Sequence, residues 1–99
     1  MKLIIEPRRA GKTTQAIKIA AEDYSYVVCY NRNEADRVWR ESLDLSCDIP
    51  HPITFDDLLK GRYYGRGIKG FVIDNADYVL QELCGRVELK AITLNKGER

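Results

Sequence analysis

Gly11, Lys12, Thr13 and Thr14 follow the apolar run Leu3-Ile4-Ile5 after a short loop, and a helical pattern begins with them. Strand, loop, Gly-Lys-Thr and helix in that order are what a cradle for linked phosphates requires. The backbone N–H groups of Ala10, Gly11, Lys12, Thr13 and Thr14, backed by the positive end of the helix, form a concave anion site. Lys12 reaches the outer phosphates of such a ligand, and the Thr13 hydroxyl holds the magnesium ion that accompanies them. Gly11 suits its place because glycine tolerates positive φ and lets backbone approach closely. The consensus Gly-x-x-x-x-Gly-Lys-[Ser/Thr] is matched in part, since Glu6 occupies its first position. The expected ligand is a nucleoside triphosphate with Mg2+, and no base-reading motif separates ATP from GTP.

A second motif, Phe71-Val72-Ile73-Asp74, is an apolar run that ends on an acid. An aspartate at the end of a buried strand binds the magnesium ion of a nucleotide, usually through water. Residues 60–70 combine Gly61, Gly65, Gly67 and Gly70 with Lys60, Arg62, Arg66 and Lys69, contain no acid, and carry Tyr63 and Tyr64. That mixture suits a mobile loop that stacks bases and neutralises phosphates, so DNA is an expected partner there; a solvated connector has the same composition. His51, between Pro50 and Pro52 and without neighbouring ligands, reads as a loop residue. Asp56 and Asp57 read as helix-capping acids rather than acid–base groups.

These groups need a scaffold. Residues 2–5 predict a short strand covered on both faces, because the apolar run does not alternate. From Thr13 to about Glu22 the pattern is helical, with Ala16, Ile17, Ala20 and Ala21 in one stripe. Tyr-Val-Val-Cys-Tyr at 26–30 predicts a second buried strand. Asn33 is the expected N-cap of a helix whose inner face is Ala35, Val38, Trp39, Ser42 and Leu43. A loop follows, then a brief strand at Ile53 and Thr54, and Thr54-x-x-Asp57 predicts a capping box. Phe71, Val72 and Ile73 form a third clear strand, Gly85 stops a helix that starts near Tyr78, and residues 87–94 hold the last strand. Strands alternating with helices imply a three-layer α/β/α domain with a mostly parallel sheet of about five strands. Ligands of such sheets sit at the carboxyl ends of the strands, where the Gly11 loop, the Asp74 turn and the Asn95 turn all fall.

Arg-Arg-Ala-Gly-Lys12-Thr-Thr, Val-Val-Cys-Tyr-Asn-Arg-Asn, Ile-Thr54-Phe-Asp-Asp-Leu-Leu, Val-Ile-Asp74-Asn-Ala-Asp77 and Ile-Thr93-Leu-Asn95 follow the motif order of RecA-like P-loop ATPases. The chain most resembles the N-terminal ATPase core of DNA helicases and of viral large-terminase packaging motors. The resemblance implies one P-loop domain over residues 1–99 that binds and hydrolyses ATP in DNA processing. It makes Lys12 the phosphate lysine, Thr13 the magnesium hydroxyl, Asp74 the metal-linked aspartate, and Asn95 or Thr93 the polar sensor. Arg8 or Arg9 answers to the arginine that terminases often carry inside the loop to stabilise the γ-phosphate. At Asn75 the chain departs from the family, which usually has a glutamate there to polarise the attacking water. An amide cannot be a general base, and losing such a group costs ~10²-fold or more in rate, so slow or absent hydrolysis is expected. Glu6 or Asp77 could substitute. Without the further strand of the family, the first strand becomes an open edge that invites a partner. A second copy or another ATPase subunit is expected to supply that strand contact and a trans-acting arginine.

Composition narrows the class. A length of 99 residues makes one domain, and a net charge of +1 with 31% charged residues creates no global field toward nucleic acid or membrane. Cys29, Cys47 and Cys84 are odd in number and widely spaced, which argues for a reducing cytoplasm and against a disulfide frame or zinc site. No apolar run approaches ~18 residues, so a soluble cytoplasmic protein is expected. Two rivals to the ATPase remain. One is a degenerate nucleotide-binding or interaction module that does not hydrolyse, which Asn75 favours. The other is a nucleoside kinase, which shares Gly-Lys-Thr and an early helix; the zinc-binding cysteine set of thymidine kinases is absent.

Overall fold

The densest run of β-branched and aromatic residues, Tyr26–Cys29, becomes the central strand β1, and all four of its residues are buried. The structure, a computed structural model, describes residues 3–5, 11–65 and 67–95. Helix α1 (Lys12–Asp23) precedes β1; α2 (Arg32–Asp44), the short strand β2 (Ile53–Thr54), α3 (Phe55–Leu59), β3 (Phe71–Ile73) and α4 (Ala76–Cys84) follow it. The sheet order is β2-β1-β3 and both pairings are parallel. Val28 lies beside Ile53 on one side and Ile73 on the other. The ladder continues one step further, as the Asp74 N–H donates to the Val28 carbonyl at 3.0 Å.

Alternation along β1 divides the core in two. Val27 and Cys29 join Ile17 and Ala20 of α1 and Ala35 and Val38 of α2, with Trp39 and Val72 packed against them. Tyr26 and Val28 face the other way and join Ile53, beneath Phe55, Leu58, Tyr63 and Ile68. A small α/β unit results, with α1 and α2 on one face of the sheet and α3 with the 60–70 loop on the other.

The expected capping box forms: the Asp57 N–H donates to Thr54 Oγ1 and the Thr54 N–H to Asp57 Oδ2, each at 3.1 Å. Asn31, not Asn33, caps α2, its side chain accepting from the Glu34 N–H at 2.8 Å. With β1 ending at Cys29, Asn31 is the residue still extended enough to reach back to the third helical N–H.

The sheet itself differs from expectation. Among the described residues it has three strands rather than five. Leu3, Ile4 and Ile5 carry no strand pairing, and Leu3 and Ile5 are 52% and 79% exposed, so the covered strand expected there is not formed. Residues 87–94 are irregular as well. Gln81 of α4 holds them instead, donating to the Val87 carbonyl and accepting from the Leu89 N–H, both at 2.9 Å. Among the described residues β3 lies at the edge of the sheet, with Phe71 and Ile73 partly exposed. No helix among the described residues is long and apolar enough to cross a membrane.

Ile17 is fully buried between α1, α2 and β1. Ile17→Ala is expected to destabilise the fold by roughly 2–5 kcal/mol, read as a lower urea midpoint at unchanged m-value.

Candidate functional site

Gly11 is the N-cap of α1 and adopts φ 81°, ψ 24°. The left-handed backbone is what requires glycine, since an added Cβ would meet no atom of the described residues within 4 Å. No acid lies within the first turn of α1 itself, so the acids that meet its N–H dipoles come from other elements.

Facing that turn, β3 ends at Asp74, which is 5% exposed. The Thr13 hydroxyl donates to Asp74 Oδ2 at 2.9 Å. This contact joins the Gly-Lys-Thr motif to the apolar-run-and-aspartate motif across 61 residues of sequence. Burial pushes the Asp74 carboxyl above the ordinary aspartate value, and the Glu34 charge acts in the same direction. The Thr13 hydrogen bond and the positive charges of Arg37 and Lys12 oppose the rise, so Lys12 and Arg37 both act electrostatically on this carboxylate.

Helix α2 closes a third side. The Thr14 hydroxyl donates to Glu41 Oε2 at 2.7 Å, Arg37 pairs with Glu41 at 3.4 Å, and Arg37 Nη2 donates to Glu34 Oε1 at 2.7 Å. Sequence reading assigned no role to Glu34, Arg37 or Glu41. Their i, i+3 and i+7 spacing puts them on one helical face, a signal shared by any solvated charged face. At the end of β1 the buried Cys29 thiol is pushed up to about 12, by burial first and then by the Asp74 and Glu34 carboxylates.

Thr13 and Asp74 offer two hard oxygen ligands side by side. Mg2+ retains waters and phosphate oxygens and needs only one or two protein ligands, so this donor set fits it. A group of three or more His, Cys, Asp or Glu able to cage a metal does not occur among the described residues.

Other expected site residues fall elsewhere. Asn75 is the N-cap of α4 at φ 56°, ψ 56°, and its side chain makes no capping hydrogen bond. Asparagine enters this left-handed region more readily than most residues, and a glutamate would be strained in it. Thr93 and Asn95 are exposed on an irregular segment, so the strand end that a polar sensor requires is not formed. Asp77 lines a cleft of about 420 Å³ between α4 and residues 89–92. Glu6, Arg8, Arg9, Ala10 and Arg66 lie outside the described residues.

The 60–70 loop is less cationic than its composition suggests. Lys60 pairs with Asp56, and Arg62 pairs with Asp56 and Asp57. Tyr63 packs edge-on against Tyr26 and Phe71, while Tyr64 is 83% exposed. The Tyr26 hydroxyl donates to the Tyr64 carbonyl at 3.2 Å and accepts from the Tyr64 N–H at 3.0 Å. His51 rests on the Trp39 ring with centroids 4.8 Å apart.

Compared with protein-family profiles, curated proteins and solved structures, the chain finds no match in any of the three.

Because burial raises the folded-state pKa of Asp74 above its unfolded value of about 3.9, its favourable contribution is complete below about pH 4 and is lost as pH rises through the folded pKa. Asp74→Asn keeps an acceptor for Thr13 and is expected to stabilise the apoprotein at pH 7. The difference from wild type should close below about pH 4, which calorimetry across a pH series checks.

Proposed function

We propose that the protein is a RecA-like P-loop nucleotide-binding protein that takes Mg-ATP at the start of α1 and hydrolyses it slowly or under the control of a DNA-processing partner. The observation that carries this reading is the 2.9 Å hydrogen bond from Thr13 to Asp74. A phosphate-loop threonine and a strand-end aspartate that share one magnesium ion have to be neighbours, and these two are.

The division of labour follows from the groups present. The amides at the Gly11 turn and the helix dipole bind phosphate oxygens, and Lys12 adds a fixed positive charge. Thr13 and Asp74 would hold Mg2+, which when bound neutralises charge on the phosphate oxygens. Burial of Asp74 lowers the local dielectric, so its attraction for a cation exceeds that of an exposed carboxylate.

For DNA, exposed Tyr64 and exposed Lys69 are the stacking and cationic groups that the described residues of the 60–70 loop offer, since Lys60 and Arg62 are engaged with Asp56 and Asp57. The edge of β3, which no other strand among the described residues covers, supports a strand contact from a second copy or from another ATPase subunit. Asn75 favours a second reading, a module that binds nucleotide and never cleaves it.

Titration with a fluorescent ATP analogue in Mg2+ is expected to show binding that Lys12→Ala weakens about tenfold or more, equivalent to ~1.4 kcal/mol. Thr13→Ala should remove most of the Mg2+ dependence. Phosphate release with and without DNA then separates the ATPase from the module, and unchanged affinity in Lys12→Ala rules out the phosphate-loop reading altogether.

A further inference from the structure

Asn75 leaves the site without a carboxylate at the position after Asp74, and its left-handed backbone disfavours a glutamate in that place. Another carboxylate stands at the same edge of the sheet. β1 and β3 are paired in parallel up to the bond between the Asp74 N–H and the Val28 carbonyl, so the turn that leaves β1 emerges beside Asp74. That turn contains Asn31, which fixes Glu34 in the first turn of α2 by accepting its N–H at 2.8 Å. Tyr30, in the same turn, meets Tyr78 edge-on with centroids 5.2 Å apart, which ties the turn to α4.

From the opposite side, the Thr14–Glu41 bond of 2.7 Å seats the phosphate turn of α1 on α2. Arg37 then bridges Glu41 to Glu34, giving Glu34 its Nη2 at 2.7 Å and its Nε at 3.2 Å. Glu34, with 20% of its side chain exposed, is thus held by contacts that begin at the residue next to Thr13. Its charge acts on Asp74 from that position.

Resting on the triphosphate reading above, we propose that Glu34 is the carboxylate that orients and deprotonates the water attacking the terminal phosphate, with Arg37 as the residue that positions it. The water oxygen forms a bond to the γ-phosphorus while the bond from that phosphorus to the bridging oxygen breaks. The bridging oxygen keeps the electron pair and departs with the nucleoside diphosphate. The water proton passes to Glu34 and from there to the released phosphate. A terminal phosphate carries more charge than a carboxylate and draws Arg37 toward itself, which frees a Glu34 oxygen for the water.

Glu34→Gln preserves size and an acceptor for Arg37 but removes proton affinity. It is expected to lower kcat ~10²-fold or more while leaving KM, and the affinity for a non-hydrolysable triphosphate, within about twofold of wild type. ADP with aluminium fluoride, a mimic of the transferring phosphoryl group, should no longer raise the melting temperature of this variant, whereas the non-hydrolysable triphosphate still should. Arg37→Ala should lower kcat about tenfold and Arg37→Lys should recover part of the loss, as expected of a positioning group. The melting temperature of each apo variant checks its fold, and little change is expected because the ion pairs lost are partly exposed.

Wild-type turnover in Glu34→Gln, or an undiminished aluminium fluoride shift, overturns the assignment and leaves the nucleotide site standing. A wild-type protein that binds ATP yet releases no phosphate with DNA present does the same. Absence of nucleotide binding in the wild type removes both.

Discussion

The hydrogen bond from the Thr13 hydroxyl to Asp74 holds the start of α1 against the end of β3, and the rest of the carboxyl edge is arranged around it. Asp74 is largely buried, so removing this donor would take a hydrogen bond from a carboxylate in a low-dielectric setting. The same bond is possible only because β3 lies in parallel register with β1 while α1 packs across both strands. Site geometry and sheet geometry therefore stand or fall together, and the burial that strains Asp74 is also what gives its charge reach.

Much of the local structure was legible in the sequence because it rests on contacts within a few residues. The capping box of Thr54 and Asp57, the buried strand Tyr26–Cys29, and the stop at Gly85 each depend on a spacing that a reader can measure. The meeting of Thr13 with Asp74 followed from recognising two motifs rather than from any local rule. Sheet membership was not legible in the same way. Leu3-Ile4-Ile5 and residues 87–94 have the composition of strands, but pairing is decided by distant neighbours, and apolar composition says only that a pleated, half-covered surface would suit them. Phe71 and Ile73 show the converse, apolar residues on a true strand that lies at an edge and stays partly exposed. The α2 charges were invisible for a third reason: on a helical projection Glu34, Arg37 and Glu41 form an ordinary polar face. Only the bond from Thr14 to Glu41 shows that this face looks toward α1.

Asn75 and Cys29 show how backbone and burial restrict which residue can do chemistry. The step from β3 into α4 passes through a left-handed residue, which suits asparagine and penalises the longer acid. Cys29, one strand over, is a potential metal ligand by type, yet burial beside two carboxylates keeps its thiol protonated. Of the groups gathered at this edge, oxygen donors are left to meet a cation, which matches a hard ion better than a soft one.

The paired contact between the Tyr26 hydroxyl and the backbone of Tyr64 has a consequence for the glycine-rich segment between α3 and β3. One phenol on the central strand grips that segment near its midpoint, dividing a long excursion into two shorter spans that close separately. Closure entropy rises only with the logarithm of span length, so the division changes the order of the loop less than it changes its reach. The Tyr64 backbone is thereby pinned to the central strand while the residue as a whole stays 83% exposed.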